Sequence, residues 1–125
     1  MLTNNAVMAT IAVRNIALAK NFYGETLGLE QNGAEGDTVV SYKCGNTSLL
    51  VYQSEFAGTN KATAATWSIA DGLEQLVKQL RDKGVAFEHY TMPDLQLAGD
   101  IHVAAHMKIA WFKDPDGNIL SMVEE

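Results

Sequence analysis

Two halves of this chain carry the same spacing of residues that begin and end a helix. Asn15 and Asp71 are 56 residues apart, and both residue types favour the position that precedes a helix. Gly28 and Gly84 have the same separation, and each stands where an amphipathic stretch ends. One helix and a few strands cannot bury both faces of a sheet. The repeat therefore predicts two similar modules that pair with each other.

Each module is predicted to follow the order strand, helix, strand, strand, strand. In the first module, β-branched residues over Val7–Val13 indicate a strand, and apolar residues at helical spacing follow Asn15. In the second, a strand over Ala64–Ala70 precedes Asp71, which we expect to cap the second helix. We therefore predict an α+β fold in a single domain, with modules at about residues 7–52 and 64–124 and a small, polar linker at 53–63.

A hairpin is predicted around the turn Asp114-Pro115-Asp116-Gly117-Asn118. Pro115 fixes its own φ angle and Gly117 accepts a positive φ, as tight turns require. Between the second helix and this hairpin, residues Thr91–Ala105 show no clear periodicity, so we expect an irregular segment there.

Composition excludes several classes of function. A formal net charge of −6 leaves no basic face for nucleic acid. No stretch is long and apolar enough to span a bilayer, and the first residues lack the basic region of a secretory signal. We therefore expect a cytoplasmic protein without a membrane partner. Cys44 is the only cysteine, which excludes an internal disulfide and a thiolate metal cluster.

Residues of the first helix and of the hairpin turn together resemble a known superfamily. They are Val13-Arg14-Asn15-Ile16, Ala19, Phe22-Tyr23, Leu27-Gly28-Leu29 and the turn from Asp114 to Asn118. This combination resembles the vicinal oxygen chelate superfamily, which includes glyoxalase I, bleomycin-resistance proteins and extradiol dioxygenases. The resemblance spans nearly the whole chain. It implies two βαβββ modules paired into a curved, half-barrel mixed sheet whose concave face holds a ligand, and it implies a homodimer.

For metal-dependent members, the resemblance implies one metal ligand on the first strand and one on the last strand of each module, typically His and Glu. The corresponding residues here are Met8, Leu49, Ala64 (or Ala65 if the register slips) and Ser121. A thioether, two hydrocarbon side chains and a hydroxyl do not form a site for a hard divalent ion. We therefore predict no metal and no other cofactor, as in the metal-free bleomycin-resistance-like branch.

A different metal site is an alternative that the sequence leaves open. His102 and His106 are spaced i, i+4, as on one face of a zinc-binding helix, and Asp94 and Asp100 lie nearby. On this alternative, the protein is a lyase, isomerase or dioxygenase with an atypical metal site. The contrary interpretation is that these histidines are solvated or pack within a loop.

Strand alternation predicts which side chains line the concave face. Most of them are small, apolar or hydroxyl-bearing, and none is a carboxylate suited to acid–base catalysis. Such a surface suits a small organic molecule, apolar, aromatic or cationic, held by few hydrogen bonds, although the same residues would also fill a core. We predict a metal-free, sequestering protein of the resistance type, whose ligand contacts come from Met8, Thr10, Thr47, Leu49, Ala64, Thr66, Ser68, Trp111, Ser121 and His106.

Overall fold

The computed structural model describes residues 1–125, which form an α+β fold with two mixed sheets. The predicted fold class is confirmed, with the strands divided between two sheets. The chain consists of two compact units: unit 1 contains residues 1–60 and 115–118, and unit 2 contains residues 61–114 and 119–125. The elements are β1 (Ala9–Val13), α1 (Ile16–Lys20), a π-helix (Asn21–Thr26), β2 (Gln31–Glu35), β3 (Val39–Cys44), β4 (Thr47–Gln53), β5 (Thr63–Ile69), α2 (Leu73–Asp82), β6 (Phe87–Glu88), β7 (Gln96–Ala98), β8 (Ile101–Val103), β9 (Lys108–Lys113) and β10 (Ile119–Glu124).

The sheet of unit 1 has the strand order β1-β4-β3-β2, with β1 parallel to β4 and the other pairs antiparallel. Its buried face carries the side chains that alternate inward on three strands, and each fully buried aliphatic side chain contributes about 1.5–3 kcal/mol to stability. Together with Ala19 and Tyr23 of the helical segment, the buried residues are Ile11, Val13, Val40, Tyr42, Leu49 and Val51.

The helical segment of unit 1 begins at the predicted cap. The Asn15 side chain accepts a hydrogen bond from the backbone N–H of Leu18 at 3.0 Å, which satisfies one of the free donors at the helix start. The helical segment is divided, because α1 has five residues and continues directly into the π-helix. Gly28, with φ of 71°, follows the helical segment as expected.

The sheet of unit 2 has the strand order β5-β10-β9-β8-β7. The short strand β6 also pairs with β9, at Trp111 and Phe112, while β8 pairs with β9 at Lys108 and Ile109. The predicted cap of α2 is wrong. Gly72 occupies the cap position without a side-chain hydrogen bond, and the N–H of Leu73 donates to Glu124 Oε1 at 3.0 Å. A carboxylate from β10 therefore satisfies the start of this helix, in place of Asp71.

An additional hairpin occupies part of the segment that was expected to be irregular. β7 and β8 pair antiparallel around Gly99 and Asp100, and β8 then pairs with β9. Arg81 of α2 donates two hydrogen bonds to Asp100 Oδ2, at 2.8 and 3.0 Å, and so attaches the hairpin turn to the helix. The expectation of an irregular Thr91–Ala105 is therefore wrong for β7 and β8, whose three-residue strands are too short to give a periodic pattern.

The longest helix, α2, has ten residues. No helix has the length and apolar character needed to cross a membrane.

Candidate functional site

The two faces of the unit 2 sheet differ in chemistry. Helix α2 lies on the face that carries Glu124 and Lys108, because Glu124 bonds its first N–H and Lys108 pairs with Glu74 at 2.6 Å. Side chains alternate across a strand, so the opposite face carries Ser121 and Trp111. We call this second surface the hydroxyl–aromatic face and define it by Thr63, Thr66, Tyr90, His102, Trp111 and Ser121.

The centre of the hydroxyl–aromatic face is a pair of hydroxyl groups. Thr66 and Trp111 lie on either side of Ser121 in the register of three adjacent strands. Thr66 Oγ1 and Ser121 Oγ are 2.8 Å apart, and Ser121 is 3% exposed. Ser68 lies opposite Val123 on the same face. The structure therefore brings together Thr66, Ser68, Trp111 and Ser121, while their contact with a ligand stays a prediction.

A change of register on β5 adds a further hydroxyl to this face. Thr63 pairs with Ile119 but Ala65 pairs with Leu120, so Ala64 is an extra residue without a partner. As a result, Thr63 turns toward the same side as Trp111, whose Nε1–H donates to Thr63 Oγ1 at 3.1 Å. Regular alternation predicted Ala64 for the face instead, and this placement is not supported.

Three rings form the more buried part of the face. The ring centroids of Trp111 and His102 are 4.8 Å apart at an interplanar angle of 85°, and those of Trp111 and Tyr90 are 5.3 Å apart at 81°. Tyr90 and His102 are 6.4 Å apart and lie within 27° of parallel. Edge-to-face contacts of this kind favour a fixed arrangement of the rings.

Two buried polar atoms of this cluster have no hydrogen-bond partner: Tyr90 Oη and His102 Nδ1. The other ring nitrogen of His102, Nε2, accepts a hydrogen bond from the backbone N–H of Tyr90 at 2.9 Å. Burial raises the pKa of the Tyr90 phenol, the Glu88 carboxylate adds to this effect, and Lys113 opposes it. Tyr90 was not predicted for this site, and His102 was predicted either as a metal ligand or as a histidine that is solvated or packs within a loop. Neither residue lies in a strand long enough to show alternation.

A carboxylate orients a second imidazole near this cluster. His89 Nε2 lies 2.8 Å from Asp100 Oδ1, and the His89 ring centroid is 6.3 Å from that of His102. The hydrogen bond from His89 and the guanidinium of Arg81 hold the pKa of the Asp100 carboxyl below its usual range. His89 is about half exposed, so this pair has a geometry suited to proton transfer with a molecule in solvent.

The candidate residues of unit 1 lie on two different faces. Leu49 pairs with Ala9 in the β1–β4 register, and Leu50 pairs with Thr10. Leu49 is therefore on the buried face with Ile11, which corrects its predicted position beside Thr10. A one-residue shift on a strand moves a side chain to the other face.

The remaining candidates lie at the edges of their units. Thr47 shares the parity of Leu49, and its hydroxyl donates to the Val7 carbonyl at 3.0 Å. Met8 precedes β1 and is 50% exposed. His106 is exposed in the turn between β8 and β9, and β8 is a strand. His102 and His106 therefore do not share a helix face, which corrects the spacing argument for a metal site.

A cleft of about 510 Å³ lies at the base of the additional hairpin and is lined by Asp94, Leu95, Gln96, Val103, Ala104 and Ala105. It carries one charged side chain, and the hydroxyl–aromatic face lies outside its lining.

The family metal positions do not fit a metal ion in this chain. Leu49 is a buried hydrocarbon side chain, Ala64 offers no donor, and Ser121 is already bonded to Thr66. No group of three or more His, Cys, Asp or Glu side chains is placed to hold an ion. We therefore derive no chemistry through a metal at these positions.

Comparison with known proteins agrees with this fold. A lactoylglutathione lyase from Agrobacterium tumefaciens is similar, with a TM-score of 0.72, 15% identity, and coverage of 97% of this chain and 93% of that one. A glyoxalase family protein from Enterococcus faecalis has a TM-score of 0.72, 21% identity, and coverage of 99% and 100%. An integron cassette protein from the mobile metagenome of the Halifax Harbour sewage outfall has a TM-score of 0.73, 16% identity, and coverage of 98% and 99%.

At these identities, the solved structures establish the fold alone. No protein of curated function gives a significant match. The family model described as Glyoxalase/Bleomycin resistance protein/Dioxygenase superfamily matches residues 5–122. Because this match covers nearly the whole chain, the protein belongs to the glyoxalase/bleomycin resistance protein/dioxygenase superfamily.

Proposed function

We propose that this protein binds a small organic molecule on the hydroxyl–aromatic face and sequesters it without using the metal of its superfamily. The observation that carries the proposal is the chemistry around Ser121. Where the resemblance implies a metal-binding Glu, this chain has a neutral, buried hydroxyl bonded to Thr66 beside the ring of Trp111. Such a surface offers stacking and a few hydrogen bonds, which suits binding better than hydrolysis or redox chemistry.

The chemistry of the face indicates the class of ligand. Trp111 supplies an aromatic ring that is 8% exposed. Beside it, the exposed residues Thr63 and Thr66 place one hydroxyl bonded to Trp111 and one bonded to Ser121. The chain carries a net charge of −6, which favours a neutral or cationic ligand over an anion. We therefore expect a mostly apolar or aromatic molecule with few polar groups.

The first experiment is native mass spectrometry of protein purified without chelator. A small-molecule adduct without a divalent ion would agree with the proposal. One tightly held divalent ion per chain would contradict it. The same spectrum counts the chains in each particle, for which we propose two.

A second experiment assigns the binding to the hydroxyl pair. Thr66→Val and Ser121→Ala each remove one hydroxyl, and a ligand found by thermal-shift screening should bind each variant about three- to tenfold more weakly. Thr38→Val removes an exposed hydroxyl from a turn of unit 1 and should leave the affinity unchanged. Equal affinity in all three variants would place the ligand elsewhere.

A lyase or isomerase is the second candidate, and the pairing of His89 with Asp100 favours it. An imidazole held by a carboxylate can take a proton from a substrate near neutral pH. Turnover of a glyoxal–thiol adduct that persists in chelator and is lost in His89→Gln would support this candidate. Equal turnover in that variant would exclude His89 as the base.

A further inference from the structure

The additional hairpin brings a histidine to the hydroxyl–aromatic face in a defined tautomer. A backbone N–H can only donate, so His102 Nε2 must accept the hydrogen bond from Tyr90 N–H at 2.9 Å. The neutral imidazole then carries its proton on Nδ1. His102 is 1% exposed, and Nδ1 has no hydrogen-bond partner, so this N–H is a buried donor without an acceptor.

The phenol of Tyr90 is the second unpaired group. Its oxygen is buried and without a partner, and burial raises its pKa, so the phenol keeps its proton and is able to donate. Buried polar groups in native proteins almost always have partners. Two exceptions on neighbouring rings, both packed against Trp111, indicate that a partner from outside the chain completes them.

We propose that His102 Nδ1 and Tyr90 Oη form a subsite that binds a neutral carbonyl oxygen of the ligand, such as that of an amide or ketone. Both groups donate, and a carbonyl oxygen has two lone pairs. This inference rests on the proposed function, and it adds the polar group by which the ligand is oriented.

The charges around the subsite favour a neutral oxygen over a carboxylate. Lys113, which would attract an anion, is paired with Glu88 at 3.4 Å. His89 is held by Asp100, and Arg81 donates to the same carboxylate. No unpaired cation therefore stands beside the two donors, and a buried carboxylate there would lack compensation.

Three soluble probes separate the possible chemistries: benzamide with a neutral carbonyl, benzoate with a carboxylate, and benzylamine with no acceptor. Affinity is measured by titration of the imidazole ¹⁵N resonances, which also report the tautomer of His102. We expect the Nδ1-protonated tautomer of His102 in the free protein, and we expect the ¹⁵N chemical shift of Nδ1 to change when benzamide is added. We expect at least fivefold weaker binding of benzoate and benzylamine.

The Tyr90→Phe variant distinguishes a ligand contact from a structural role. Removal of an unpaired buried hydroxyl should leave the Tm unchanged or raise it, while benzamide should bind about three- to tenfold more weakly. His102→Gln, which removes the Nδ1–H, should weaken benzamide to a similar extent. Tyr52→Phe removes a partly exposed hydroxyl from unit 1 and should change neither quantity.

Three results would overturn the carbonyl subsite. They are tighter binding of benzoate than of benzamide, an Nε2-protonated His102, and a lower Tm of Tyr90→Phe with unchanged benzamide affinity, as an internal water would produce. If a screened ligand depends on Thr66 and Ser121 but not on Tyr90, this inference fails and the proposed function stands. If no probe and no screened ligand binds, both fail.

Discussion

Two polar clusters, one in each unit, differ in whether their hydrogen bonds are complete. In unit 1, Asn32 links two serines, since its amide oxygen accepts from Ser41 at 2.6 Å and its amide nitrogen donates to Ser48 at 3.0 Å. In unit 2, Tyr90 and His102 bury a polar atom each without a partner. Unpaired buried donors gain a hydrogen-bond partner when a ligand binds, so the second cluster has more to gain from a ligand than the first. The comparison therefore agrees with the ligand site that we propose in unit 2.

The origin of the difference is the additional hairpin of unit 2. In unit 1, β3 and β4 are joined by a two-residue turn at Gly45 and Asn46. In unit 2, the chain between β6 and β9 forms β7 and β8, and β8 carries His102. Two units with a similar order of elements therefore contain different polar clusters. The Asn32 cluster of unit 1 pairs its own donors and acceptors, whereas the cluster of Tyr90 and His102 in unit 2 leaves two polar atoms unpaired.

The largest expected effect concerns a close backbone contact within unit 1, between Gly58 and Asp116. A Cβ atom on Gly58 would lie 2.0 Å from the carbonyl oxygen of Asp116, and Gly58 has φ of 73°. Since backbone must move to relieve this overlap, Gly58→Ala should lower the free energy of unfolding by about 3 kcal/mol or more. Gly36→Ala is the control, because its φ of 56° is similar and nothing lies within 4 Å. It should cost about 1–2 kcal/mol. Urea denaturation measures both variants, and equal losses of unfolding free energy would contradict the close approach of Gly58 to the Asp116 carbonyl oxygen.

The next effect compares how the two units begin their helices. Asn15→Ala removes the side chain that caps α1, the helix that directly follows it, and should lower the free energy of unfolding by about 1 kcal/mol. Glu124→Gln keeps an acceptor for Leu73 N–H but loses the charge, and should cost about 0.5 kcal/mol. Asp71→Ala should stay within about 0.5 kcal/mol of the parent. Thermal or urea unfolding measures all three, and a loss in Asp71→Ala as large as in Asn15→Ala would show that Asp71 caps α2 after all.

The third effect concerns the attachment of the additional hairpin, and it depends on pH. The pKa of Asp100 is lowered in the folded protein, so its stabilising effect is present above the unfolded pKa and is lost as pH falls through the folded pKa. Asp100→Asn should therefore cost up to about 1 kcal/mol at pH 6, and the difference from the parent should vanish toward pH 2. The control Asp82→Asn breaks only an exposed pair with Lys78 and should cost about 0.3–0.5 kcal/mol. A pH-independent cost in Asp100→Asn would contradict the electrostatic origin.

Sequence patterns predicted much of the fold and part of the site. Capping by Asn15, the order of elements in unit 1 and the shared face of Thr66 and Ser121 follow from local rules of capping and alternation. Leu49 was placed on the wrong face because alternation without a register leaves a one-residue ambiguity. The pairing of Leu49 with Ala9 in the structure removes this ambiguity.

The remaining residues of the site depend on features that no periodic pattern reveals. Thr63 joins the face only because of the register change at Ala64. His102 lies on a three-residue strand, and Tyr90 lies outside any strand. Glu124 caps a helix that begins 51 residues earlier in the chain, and contacts over such separations follow from the tertiary fold alone.

The extra residue on β5 decides which side chain stands beside Trp111. If β5 paired regularly with β10 through Ala64, then Ala64 would lie opposite Ile119 and Thr63 would turn to the side of helix α2. The indole N–H of Trp111 would then lose the hydroxyl of Thr63, although no residue had been substituted. Loss of Ala64 would instead remove the irregularity and leave Thr63 opposite Ile119. In this superfamily fold, the chemistry of a sheet face therefore depends on strand register as well as on residue identity.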